Sequence, residues 1–92
     1  MPADPVLAEV AQERARQDAK WGEQNHDPCY WLAILGEEFG EAAKAAVEIR
    51  ASSGLRACDW SSYRAELVQV AAVAVAMIEC LDRDKWRTPD AR

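Results

Sequence analysis

The sequence predicts an all-α fold, with three main helices per chain forming a helical bundle completed by oligomerisation. Three observations lead there. Three segments carry apolar residues at helical spacing, each opened by a start signal. Half of the 92 residues are apolar, ordinary for a globular chain. A chain this short forms one domain (1–92) with a limited core of its own, and self-association is a common remedy.

The first helix is expected to open with Asp4 as N-cap and Pro5 at its first position, and to run to about Lys20, where Gly22 ends it. Val6, Leu7 and Val10 supply its few apolar positions. Its second half (QERARQDAK) is polar, fitting a surface helix or an arm that packs on a partner. GEQNHD, from Gly22 to Asp27, reads as a polar loop. The second helix repeats the start signal with Asp27 and Pro28, runs to Ile49 or Arg50, and is closed by Ser52-Ser53-Gly54. The third begins near Asp59 or Ser61 and continues to about Arg83. A strand over VQVAAVAVA is the competing reading, but the alternation is imperfect and MIECLDR continues at helical spacing. The tail from Asp84 to Arg92 contains Pro89 and reads as loose.

Composition narrows the function classes. Sixteen acidic residues against eleven basic ones give a net charge of −5, with no basic stripe for nucleic acid. Cys29, Cys58 and Cys80 form no CxxC and are odd in number, which argues against a disulfide framework and a zinc ribbon. The single histidine, His26, excludes a His-rich metal site within one chain. The N-terminus lacks the pattern of a signal peptide, and Val68–Ile78 is too short to span a bilayer. A cytoplasmic protein is expected.

A helical wheel then singles out particular carboxylates. Around Glu38, the residues Trp31, Leu35, Ala42 and Ile49 fall within about 60°. Ile34, Glu41 and Ala45 occupy the other side of the same stripe. Glu38 and Glu41 are therefore expected inside the apolar face, with Glu37 at its edge and Glu48 in solvent. On the third helix, Val70, Val73 and Met77 lie within about 40° of Glu66, and Gln69 flanks it. Ionised carboxylates on facing apolar stripes are costly and repel one another. They could be protonated, could pair with Arg64 or Lys44, or could hold a cation. Lys44 is poorly placed for pairing. A hard cation such as Mg²⁺, with Mn²⁺ as a substitute, suits an all-oxygen set. A di-iron bundle would need Glu-x-x-His pairs, which the chain lacks.

Glu37-Glu38-Phe39-Gly40-Glu41 is followed after 24 residues by Glu66-Leu67-Val68-Gln69. This pattern resembles the EExxE…ExxD signature of the MazG-like nucleoside triphosphate pyrophosphohydrolases, an all-α group. Trp21-Gly22-Glu23-Gln24-Asn25-His26 is similar to the segment that precedes the motif helix in that family, and the resemblance covers roughly Lys20 to Arg83. It implies Mg²⁺-dependent cleavage of a nucleoside triphosphate between the α and β phosphates, by a homodimer or a dimer-of-dimers tetramer with its site at a bundle interface. The metal positions carried over are Glu38, Glu41 and Glu66. The fourth is Gln69, where the family has Asp, so one negative charge is missing. Glu37 or Glu41 would accept the proton of the attacking water. The base would stack on Trp21 or Trp31 and be read by Asn25 or His26, although Trp31 also fits a core position. Lys20, Lys44 and Arg64 are candidates for the phosphates. Two other readings stay open: a nucleotide- or metal-binding module without turnover, and a structural dimerisation domain whose buried Glu residues pair with Arg.

Overall fold

The computed structural model describes residues 4–53 and 59–87. Its elements are α1 (Asp4–Trp21), α2 (Pro28–Ser53) and α3 (Ser61–Arg83), followed by a short 3-10 turn over Lys85–Arg87. The all-α expectation is met, and the described residues include no strand. The valine-rich run that could have been a strand lies wholly within α3. No helix among the described residues is long and apolar enough to cross a membrane.

The helix boundaries follow local chemistry. At the end of α1, Gly22 adopts φ +75° and its N–H bonds the Asp18 carbonyl at 2.8 Å, the left-handed closure that glycine permits. The Asp27 carboxylate accepts the Tyr30 N–H at 3.0 Å and so caps α2. At α3 the N-cap position is Trp60, which makes no side-chain cap, so neither Asp59 nor Ser61 is the N-cap; Asp59, one residue earlier, accepts the Ser61 N–H at 3.0 Å. Asp84, at φ 59°, ends α3 by donating its N–H to the Cys80 carbonyl at 3.1 Å.

Two boundaries differ from expectation. The second helix continues to Ser53 instead of stopping at Arg50. The Ser52 hydroxyl bonds back to the Ile49 carbonyl at 3.1 Å, so it satisfies the last turn without breaking it. Gly54 and Cys58 lie outside the described residues. Residues 84–87 of the expected loose tail are structured: Trp86 packs against the core, and Arg87 pairs with Asp84 at 2.5 Å. Positions 88–92 lie outside the described residues.

The third helix is the centre of the molecule. Both α2 and α1 pack on it and scarcely touch each other. The α2–α3 seam is built from Trp31, Val73, Ala76 and Cys80, flanked by Ile34, Leu35 and Met77. Helix α1 is held on α3 of the same chain by ion pairs, one of them from its polar half. Arg14 bridges to Glu79 and Arg64 bridges to Glu9. The radius of gyration is 15.9 Å, against about 12 Å for a compact chain of this length. One consequence is an open cleft between α1 and α2, floored by α3.

Candidate functional site

That cleft holds a cavity of about 330 Å³, within the usual range for small-molecule sites. Each wall is one helical stripe. From α1 come Arg14, Gln17, Asp18 and Trp21; from α2 come Trp31, Ile34 and Glu38; from α3 come Gln69, Val73, Ala76 and Arg83. Gly22, Glu23 and Gln24 close one end. These spacings of three, four and seven residues place the side chains of each helix on one face.

Glu38 is the acidic residue that joins this cavity to the carboxylates expected from the sequence. It is half-buried, and its pKa is pushed above the usual carboxylate range. Burial is the main cause, followed by the charges of Glu66, Glu41 and Glu37. The four carboxylates therefore share one electrostatic field. Among the described residues none of the four has a basic partner. Arg64, the candidate neutraliser, is instead bound to Glu9 on α1 at 2.5 and 2.9 Å. Lys44 is exposed on α2.

The wheel's placement of Glu41 needs correcting. Glu41 is exposed, not set within the apolar face. The seam with α3 covers the flank of α2 that carries Trp31 and Ala42, and leaves the Glu41 flank uncovered. Glu37 and Glu48 are also exposed, whereas Glu66 is half-buried. Among the described residues no three acidic, His or Cys side chains are gathered tightly enough to enclose a metal ion. The donor set is chemically suited to Mg²⁺, being oxygen-only and without basic partners among the described residues, but it stands open in the single chain.

The expected substrate residues divide. Trp21 and Trp31 line the cavity. Trp31 is 5% exposed and takes part in the core as well, and its indole N–H has no partner among the described residues. Trp21 is exposed, with the Lys20 ammonium 4.8 Å from its ring. Asn25, His26 and Lys44 do not line it. Asn25 is engaged within its own loop region, donating to Glu23 at 3.0 Å and accepting from Arg83 at 3.1 Å. His26 packs its ring on Tyr30 and Trp31 and lies within 3.2 Å of the Gln24 side-chain oxygen. Arg83 also donates to the Gln24 carbonyl at 2.8 Å, so it pins the loop onto α3.

Of the cavity residues of α1, Trp21 was expected from the sequence, and Arg14, Gln17 and Asp18 were not. Burial tends to lower the pKa of Arg14, but hydrogen bonds and charge from Glu79 and Asp18 outweigh this and raise it. Arg14 is therefore a fixed cation on the cavity wall. The signal for this wall was present in the sequence. The stripe that carries Val10 continues through Glu13, Arg14, Gln17 and Trp21. Val10 and Glu13 are the two buried residues of α1. Compared with known proteins, the chain matches no family model, no curated sequence and no solved structure.

Proposed function

We propose that the protein is a Mg²⁺-dependent nucleoside triphosphate pyrophosphohydrolase that releases pyrophosphate and a nucleoside monophosphate. The observation that carries this reading is Glu38. It is a half-buried carboxylate at the wall of a ligand-sized cavity, pushed up by burial and by three neighbouring glutamates, with no basic partner among the described residues. Of the ways to relieve such a cluster, pairing with Arg or Lys has no instance among the described residues. A cation is the remaining partner compatible with ionised carboxylates.

Glu38, Glu66 and Glu41 would hold the ion. When bound, Mg²⁺ supplies charge neutralisation on the phosphates and a lowered pKa for an attacking water. Glu37 is exposed beside this set and accepts the proton of that water. The aromatic walls Trp21 and Trp31 take the base, and the fixed Arg14 holds the α1 wall in position. The open side of the carboxylate set calls for a second copy of the chain. Leu32, Phe39 and Val47 on α2 and Ile78 and Leu81 on α3 are each more than half exposed, apolar area available to such an assembly.

Pyrophosphate release from a panel of NTPs and dNTPs, with Mg²⁺ and with Mn²⁺, tests the reading. Turnover by the wild type and its loss in Glu38→Ala are expected. No pyrophosphate from any triphosphate with either metal refutes the enzyme. A second reading, a nucleotide-binding module without turnover, is favoured by one observation: the side-chain oxygen of Gln69, at the fourth motif position, is engaged by Gln17 at 3.3 Å. Metal-dependent nucleotide binding without product would establish it.

A further inference from the structure

The orientation of Gln69 follows from groups whose hydrogen-bonding roles cannot be exchanged. Arg14 is a donor only, and the Glu13 carboxylate, buried and paired with Arg16, is an acceptor. Gln17 lies between them. Its side-chain oxygen accepts from Arg14 Nη1 at 3.3 Å, and its nitrogen faces Glu13 Oε2 at 3.5 Å. Turning the Gln17 amide over would set N–H against guanidinium and oxygen against carboxylate. The Gln17 nitrogen also donates to Gln69 Oε1 at 3.3 Å. The oxygen of Gln69 thus faces α1 with one lone pair engaged there, and its Nε2 is the polar atom left over. That nitrogen bonds no described residue, and Gln69 lines the same cavity as Glu38.

An amide nitrogen does not ligate a hard cation, which takes oxygen. It donates to an oxygen acceptor. The geometry points to Gln69 as a phosphate-binding donor: its Nε2 bonds an anionic oxygen of the triphosphate beside the Glu38 carboxylate, and Gln69 is not a ligand of the metal. This assignment rests on the nucleotide reading above and changes the role of one residue within it. A carboxylate at position 69 would repel the same phosphate oxygen. The helix α1, through Glu13, Arg14 and Gln17, acts as the template that sets which end of the amide is free.

Calorimetric titration separates the alternatives, using Mn²⁺ alone and then α,β-methylene analogues of the four common nucleoside triphosphates with Mg²⁺. In Gln69→Leu, Mn²⁺ affinity should stay within about twofold of wild type while analogue affinity falls by about tenfold or more, the usual loss of a hydrogen bond to a charged group. Gln69→Glu keeps the shape and replaces the donor by an acceptor, so it should weaken the analogue at least as much. A tenfold loss of Mn²⁺ affinity in Gln69→Leu would make Gln69 a ligand and overturn the assignment. Unchanged analogue binding in both variants would overturn it too, with the nucleotide reading intact. A wild type that binds neither Mn²⁺ nor any analogue removes the nucleotide reading and this role together.

Discussion

Replacing Arg14 with methionine removes the charged clamp between α1 and α3 while keeping an unbranched stem of similar length. The guanidinium reaches Glu79 Oε1 through Nη2 at 2.6 Å and Nε at 3.1 Å, and Asp18 at 3.0 and 3.2 Å. Its own side chain is 12% exposed, but Asp18 and Glu79 are 55% and 48% exposed. Solvent on the acidic side screens both pairs, so each contributes up to about 1 kcal/mol. Their joint loss should cost about 1–2 kcal/mol, or about 5–15 °C in Tm for a domain of this size. Because α1 packs on α3 and scarcely on α2, the clamp acts at the helix contact that holds this cavity wall. Circular dichroism melts of the wild type, Arg14→Met, Glu79→Gln and the double variant give the coupling directly. About 0.5–1 kcal/mol is expected between positions 14 and 79, shrinking in 1 M salt. A coupling indistinguishable from zero at low salt would refute the clamp.

Glu38→Gln removes the strained charge and, on the metal reading, a ligand. The Glu38 carboxyl titrates above its reference value of 4.5 in the folded chain. The native state therefore holds this proton more tightly than the unfolded state does. Its contribution is fully present below the unfolded pKa and is lost as pH rises through the folded one. Without divalent cations, wild type should lose stability relative to Glu38→Gln as pH is raised from about 4 to 7. A Tm difference that does not vary with pH would contradict the burial assigned to Glu38. Gly22→Ala places a side chain at φ +75° with open space around its Cβ, so the cost is backbone strain alone. A loss of about 1–2 kcal/mol is expected by urea unfolding, and an unaltered midpoint would show that the loop readjusts freely.

The parts of this molecule that the sequence made legible are those governed by local rules. Asp27 ahead of Pro28 and Gly22 after Trp21 mark helix ends because their chemistry acts on the nearest turn. Glu38 was legible because one wheel contained both it and the residues that bury it. Glu41 was not, because a wheel gives a direction and not the side on which the next helix packs. The same limit hid the α1 wall. Its polar second half reads as a surface helix or an arm for a partner until α3 of the same chain brings Glu79 against Arg14 and Gln69 against Gln17.

Gln69 shows how far the difference reaches. In the sequence it is one uncharged residue at a position where the resembled family places a ligand, and the natural substitute for a carboxylate oxygen is the amide oxygen. In the fold that oxygen faces Gln17, whose own orientation is fixed by a cation on one side and an anion on the other. A motif position therefore takes its chemistry from Glu13 and Arg14, more than fifty residues earlier in the chain. Those residues lie outside the span of the motif. The same substitution could offer either end of its amide, depending on what α1 presents. Reversing that template, by exchanging the charges at positions 13 and 14, would free the other end of the amide without touching Gln69.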